Sequence, residues 1–198
     1  MRAYDAATRA ALNATAVVAR PLIWIRARDR DSGAEEAIGL WTGEDHQDFV
    51  IRGETRTYYG AGTVLGLDAI TYQTGLSVRT QRVTLSAISE EVAVAIRGYE
   101  PRHAPVEIHR ALFDPAGYTL IAEPHRLFAG YIDRLTINTA AIGGQSSVEM
   151  SLASSARSLT VPLNRKRSDE SLRARAPADK FRAYATVAAT VSVKWGAE

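Results

Sequence analysis

The sequence predicts a mainly β protein: a β-barrel or sandwich with an N-terminal α-helix, one short internal helix and an extended C-terminal arm. Short segments with a hydrophobic period of two recur through the middle of the chain, with turn residues between them, as in all-β barrels and sandwiches. Helical patterns occur in two stretches before residue 160. Near the C-terminus the apolar pattern gives way to polar and basic residues, followed by an arm with an amphipathic turn or two. The expected division is therefore a helix over 1–19, a β-domain over 20–159 and an arm over 160–198.

The N-terminal segment, residues 3–19, has the composition of a helix because it contains eight alanines. Leu12 lies with Ala16 and Val17 on a narrow apolar stripe, which suits docking onto another surface. Pro21 marks the expected end of this helix, since the residue before a proline is pushed out of the α region.

After Pro21 the hydrophobic period changes to that of a strand buried on much of both faces. Turn residues at 31–33, followed by a second apolar run at 37–41, predict a hairpin. Ser89, with acidic residues directly after it, predicts a short helix that ends at Gly98. Further strands are expected over 49–51, 55–59, 68–73, 78–87, 106–113, 118–122, 127–137 and 147–152.

No catalytic pattern emerges from the residues that carry chemistry in enzymes. The chain has no cysteine, which excludes disulfides and thiolate metal sites. The glycines of 60–66 are spaced one residue too far for a dinucleotide loop, so a tight turn is expected there. His46, between two aspartates, lacks a second histidine nearby, and His103, His109 and His125 each stand alone. We expect structural histidines, no catalytic residue, no metal and no cofactor.

Charge is balanced along most of the chain and basic near its end. The net charge of +2 argues against a dedicated nucleic-acid binder, and no apolar run is long enough to span a bilayer. From Arg157 to Arg182, however, the chain has eight basic residues and three acidic ones. Aromatic residues begin at the end of this stretch and continue after it. Such an arm is suited to docking through buried aromatic anchors, with contact to DNA as the alternative. The residues predicted to dock are Arg165, Lys166, Arg167, Phe181, Tyr184 and Trp195.

Several short segments form a series that covers nearly the whole chain. They are 20–25 (RPLIWI), 39–43 (GLWTG), 55–62 (TRTYYGAG), 106–114 (VEIHRALFD), 127–133 (LFAGYID), 165–171 (RKRSDES), 179–181 (DKF) and 194–196 (KWG). Preceded by an N-terminal helix, this series resembles the tail-tip hub proteins of long-tailed phages and gene transfer agents, the relatives of the lambda-type minor tail protein L.

The resemblance implies a structural protein and not an enzyme. Hub proteins form a closed ring, typically trimeric, that joins the distal tail ring and tail tube to the central tip or fibre protein, near the tape-measure protein. The implied location is the virion tail tip, or baseplate, after synthesis in the bacterial cytoplasm, with DNA met only as it passes through the tail. Some relatives hold a cysteine-ligated iron–sulfur cluster, which this cysteine-free chain cannot ligate in that way. The alternatives are the distal tail ring protein and a carbohydrate-binding or hydrolytic tail module.

Overall fold

The computed structural model describes residues 4–72, 77–87, 89–161, 168–184, 187, 190 and 196. The chain divides into two compact units, Met1–Ser158 and Leu159–Glu198. Strands account for 44% of the residues and helices for 16%, so the prediction of a mainly β protein is confirmed. In the first unit the elements are α1 (Ala6–Leu12), β1 (Val18–Asp29), β2 (Glu35–Trp41), β3 (Gln47–Ile51), β4 (Glu54–Tyr59), β5 (Val64–Leu67), β6 (Thr80–Ser86), α2 (Glu90–Gly98), β7 (Tyr99–Glu100), β8 (Pro105–Phe113), β9 (His125–Asn138), β10 (Ser147–Ser154) and a 3-10 helix begun at Ser155.

All ten strands belong to one mixed sheet. Neighbouring strands follow the order β3-β4-β2-β1-β8-β9-β10-β6-β5, and β7 pairs with the end of β1. Every pair is antiparallel except β2 with β4, which run parallel over only two residue pairs. Among the described strands β3 pairs only with β4 and β5 only with β6, so the sheet keeps two edges. Of the barrel and the sandwich that the sequence left open, the closed barrel is therefore wrong.

Strand β1 is buried on both faces and so contributes to two hydrophobic cores. Successive side chains of a strand point to opposite sides of the sheet. Ile23 and Ile25 enter the larger core, which β2, β5, β6, β8, β9, β10 and α2 complete with mainly aliphatic side chains. Leu22 and Trp24 enter a second, aromatic core, where the β3–β4 hairpin packs against β1 and β8. The sequence predicted this two-sided burial of β1, and the structure confirms it.

The N-terminal helix is shorter than the sequence predicted. Asp5 caps α1 by accepting a hydrogen bond from the Thr8 N–H at 2.6 Å, and Asn13 ends the helix. β1 begins at Val18 because residues 18–20 pair with β8. Pro21 lies inside β1 instead of ending a helix. At Pro21 the strand pairs with β8 alone, because the pairing of β1 with β2 starts one residue later, at Leu22, and a residue without an N–H is tolerated where a neighbouring strand is missing.

Two expected strands differ from the structure. The strand expected over 68–73 lies earlier, as β5, and ends at Leu67. The segment 118–122 forms no strand and makes only an isolated bridge between Phe113 and Leu120. Both segments contain apolar residues that favour a strand, but a strand forms only where a neighbouring strand is available for pairing.

The hairpin, the internal helix and the tight turn are confirmed. Asp29 closes the β1–β2 turn by accepting from the N–H groups of Asp31 and Ser32. α2 ends at Gly98 as expected. In the segment 60–66, the Thr63 N–H donates to the Gly60 carbonyl at 3.3 Å, and β5 follows directly.

Candidate functional site

Of the six residues predicted to dock a partner, two lie among the described residues. Phe181 and Tyr184 are 86% and 80% exposed. Both belong to the second unit, Leu159–Glu198. The remaining residues of the prediction, Arg165, Lys166, Arg167 and Trp195, lie outside the described residues.

A short capped helix precedes these exposed aromatic residues. Helix α3 (Asp169–Arg175) begins at Ser168, whose hydroxyl accepts from the Ser171 N–H at 3.2 Å. Asp169 and Arg173 form an ion pair of 2.9 Å across one helical turn. Aspartate near the N-terminus and arginine near the C-terminus also complement the helix dipole. These local contacts order the chain just before the aromatic residues.

The backbone at Phe181 is fixed by a side chain close to it. The Phe181 N–H donates to the Asp179 carboxylate at 2.9 Å, and the Ala183 N–H donates to the Lys180 carbonyl at 3.0 Å. In the sequence of this turn, the two exposed aromatic residues alternate with the basic residues Lys180 and Arg182. Such a surface fits a partner with an apolar pocket and an acidic rim.

A buried polar cluster lies in the first unit, and the sequence did not predict it. Glu107 of β8 accepts from Arg56 of β4 at 3.1 Å and from Arg126 of β9 at 2.9 Å. The Nε2 atom of His109, which is 1% exposed, lies 3.8 Å from the same carboxylate. Glu107 and His109 are two residues apart on one strand, so their shared face could be read from the sequence. The two arginines come from distant strands and could not.

Burial and ion pairing set the protonation states of this cluster. Burial acts to raise the pKa of Glu107, but hydrogen bonds from Arg56 and Arg126 outweigh it and leave that pKa below its ordinary value. Burial lowers the pKa of His109 to about 4, so its imidazole is neutral at physiological pH. Burial likewise raises the pKa of Tyr58 to about 12. The cluster thus ties β4, β8 and β9 together with an ionised carboxylate.

The other histidines make separate contacts. His46 packs its ring edge-on against Tyr59 with the centroids 4.9 Å apart, and His125 lies 4.7 Å from the ring of Tyr4. His103 occupies a turn with a φ of +60°. Within the described ranges, no three His, Asp or Glu side chains gather in a group that could hold a metal ion.

Comparisons of the chain with protein-family models and with curated proteins find no match. In the part of the chain that the structure describes, no helix has the length and hydrophobicity of a membrane span.

Proposed function

We propose that this protein is a structural component of a phage or gene-transfer-agent tail tip, where it forms the baseplate hub ring between the distal tail ring and the central tip protein. The series of segments that resembles hub proteins supports this proposal, and so does the mainly β fold with its separate C-terminal unit. The chain would act through its surfaces and not through catalysis.

The observation that carries the proposal is the pair of exposed aromatic side chains in the C-terminal unit. Most of the surface of Phe181 and Tyr184 is exposed to solvent. The backbone before and at Phe181 is held by the capped helix α3 and by the hydrogen bond to the Asp179 carboxylate. Burying two such side chains at an interface would contribute about 3–6 kcal/mol before ordering costs. Ordered, solvent-exposed anchors of this kind suit a protein that is completed by its neighbours.

The partners follow from the place of a hub in a tail. A second and a third copy of this chain would close the ring, with the distal tail ring on one side and the central tip or fibre protein on the other. The C-terminal unit would reach either an adjacent copy or one of these tail proteins. Lys180 and Arg182, beside Phe181, favour an acidic surface on that partner.

The mass of the purified assembly tests the ring. Native mass spectrometry should give three copies for a hub, whereas six copies would indicate the distal tail ring protein instead. A chain that stays monomeric when mixed with its neighbouring tail proteins would contradict both assignments. Finding the protein in purified tails, by peptide mass spectrometry, tests its location in the same preparation.

Replacing the anchors tests the docking surface. The double variant Phe181→Ala and Tyr184→Ala should lose partner binding while the β-unit stays folded by circular dichroism. Ile142→Ala is the matched control, because Ile142 is fully exposed but lies on the β9–β10 loop of the other unit. If the double variant assembles normally while charge reversal at Arg165, Lys166 and Arg167 stops DNA transfer, the arm contacts DNA and not a protein.

A further inference from the structure

A largely apolar cavity of about 410 Å³ lies between α2 and the sheet. Small-molecule sites in proteins occupy roughly 300–1,000 Å³ and have mostly hydrophobic walls, so this volume is sufficient for a ligand. α2 forms one wall through Val92, Ala95 and Ile96, and the sheet forms the other. The sheet wall includes Ile25, Ile38, Leu40, Ile132, Leu135 and Met150.

A basic cleft adjoins this cavity on the side of β9. It encloses about 630 Å³, and its arginines come from four separate elements of the fold: the β1–β2 turn, α2, the β7–β8 loop and β9. These arginines are Arg30, Arg97, Arg102 and Arg134. The cleft and the cavity share Ile96, Pro101, Ile132 and Leu135 in their walls, so they lie side by side. An apolar chamber therefore borders a cluster of positive charge.

The acidic groups near the cleft already have partners. Asp133, the one acidic residue in its wall, is ion-paired with Arg157. The carboxylate of Glu100 accepts from the Arg102 backbone N–H at 3.1 Å. With four arginines against Asp133 in its wall, the cleft presents an excess of positive charge.

Two carboxylates, those of Glu36 and Glu91, line the cavity itself. Glu36 on β2 accepts from the Tyr99 hydroxyl, and that hydrogen bond is the main cause that raises the pKa of Tyr99. Glu91 on α2 accepts from the Ser89 hydroxyl at 2.5 Å. These two carboxylates would repel an anion, so an anionic group would be stabilised only at the arginine cleft.

We propose that the cavity and cleft together bind a single-chain amphiphile with an anionic head group, of the kind represented by a long-chain carboxylate. The alkyl chain lies among the aliphatic side chains under α2, and the carboxylate or sulfate head lies among the four arginines. Guanidinium groups bind such oxyanions through short, charge-assisted hydrogen bonds. A nucleic acid would use the arginines but not the apolar chamber, and a cationic amphiphile would meet like charges. This inference is independent of the proposed function.

Isothermal titration of the full-length chain with decanoate, below its micellar concentration, tests the proposal. We expect saturable binding of one decanoate per chain. Decyl sulfate should bind as well, since it keeps the chain length and the negative head. Decyltrimethylammonium, with the same chain and a positive head, should bind at least about tenfold more weakly, the difference expected from losing one or two charge-assisted hydrogen bonds.

Two variants separate the head site from the chain site. Arg97→Glu together with Arg102→Glu should weaken decanoate binding by more than about tenfold. Ala95→Phe should weaken it strongly by placing an aromatic ring in the space of the alkyl chain. Arg26→Glu is the matched control. Arg26 is an exposed arginine of β1 between Ile25 and Ala27, which line the cavity, but it faces the other side of the strand. It should leave the affinity within twofold of the wild type.

Several outcomes would overturn the proposal. They are the absence of saturable decanoate binding by the folded wild-type chain, equal binding of the cationic amphiphile, and equal weakening by Arg26→Glu and by the cleft variant. Sedimentation with anionic phosphatidylglycerol vesicles distinguishes the source of the ligand. Binding to vesicles without binding to monomeric decanoate would mean a lipid surface, and the single-chain site would then be wrong. Circular dichroism of each variant confirms that a lost signal is not lost folding.

Discussion

The guanidinium group of Arg56 lies over the indole ring of Trp24, with its central carbon 5.0 Å from the ring centroid. The same arginine binds Glu107, and only 11% of its side chain is exposed. Arg56 comes from the β3–β4 hairpin, whereas Trp24 and Glu107 come from β1 and β8. A cation–π contact and an ion pair thus hold the hairpin on the face of the sheet, where β2 and β4 pair only briefly.

Replacing Glu107 should destabilise the protein strongly. Glu107→Gln removes the negative charge that bridges Arg56 and Arg126, and Arg56, a largely buried side chain, keeps only the exposed Glu54 among its described acidic partners. We expect the free energy of unfolding, measured by urea denaturation, to fall by about 2–3 kcal/mol. Glu149→Gln is the control, because Glu149 faces Arg82 in an exposed pair and should cost less than about 0.5 kcal/mol. Equal losses in both variants would show that the buried cluster is not a special support of the fold.

Gly39 of β2 lies opposite Tyr58, where β2 pairs with the β3–β4 hairpin. A Cβ atom there would collide with the Thr57 carbonyl oxygen and the Tyr58 ring. Gly39→Ala should therefore lower the free energy of unfolding by about 1–3 kcal/mol, the usual cost of overpacking. Gly117→Ala is the control, since the nearest atoms there lie at ordinary contact distance. A Gly39→Ala variant as stable as the wild type would mean that the hairpin can shift freely.

The alternation of side chains along β1 was visible in the sequence, and so was the fold class. The sequence predicts a strand buried on both faces, because the residues that point to either side of it are apolar: Leu22, Ile23, Trp24 and Ile25. Local turn chemistry likewise predicted the β1–β2 hairpin. These features depend on residues close together in the chain, so propensity and spacing are enough to find them.

The open sheet and the buried cluster depend on contacts between distant residues. Arg56 and Glu107 are 51 positions apart, and no spacing rule joins them. The restriction on the residue before a proline predicts a helix end at Pro21. Its place inside β1, one residue before the pairing with β2 starts, is a property of the sheet that no local rule contains. That Phe181 and Tyr184 dock a partner stays a prediction, which the sequence suggests through a local pattern of aromatic residues among basic ones. The apolar cavity under α2 could not be predicted, since eight elements of the fold contribute to its walls.

The exposed aromatic anchors should be dispensable for folding. Phe181→Ala with Tyr184→Ala should change the free energy of unfolding of the free protein by less than about 0.5 kcal/mol, as surface substitutions usually do. Phe113→Ala, in the aromatic core, should cost about 3–5 kcal/mol and serves as the contrast. Thermal and urea unfolding followed by circular dichroism measure both. A large loss in the double variant would mean that these rings support the fold and are not free for docking.

His109 should make the protein less stable as the pH falls from 6.5 towards 4. Its pKa is lowered to about 4 in the folded chain, mainly by burial, against about 6.5 in an unfolded one. Between these values the unfolded state binds more protons than the folded state, so the free energy of unfolding rises with pH across this window. The stability that His109 contributes is lost as the pH falls. The expected loss from His109 alone is about 2 kcal/mol between pH 7 and pH 5.

Urea unfolding at pH 7, 6 and 5 measures this slope, with His109→Gln as the comparison. A glutamine side chain cannot titrate, so the variant should lose this part of the slope whatever its own stability at pH 7. Glu107 contributes little in the same window, because its pKa lies below the ordinary value for a glutamate and its stabilising charge is lost only at lower pH. A wild-type protein equally stable at pH 7 and pH 5, or a variant with an undiminished slope, would show that the imidazole reaches solvent and is not held neutral by burial.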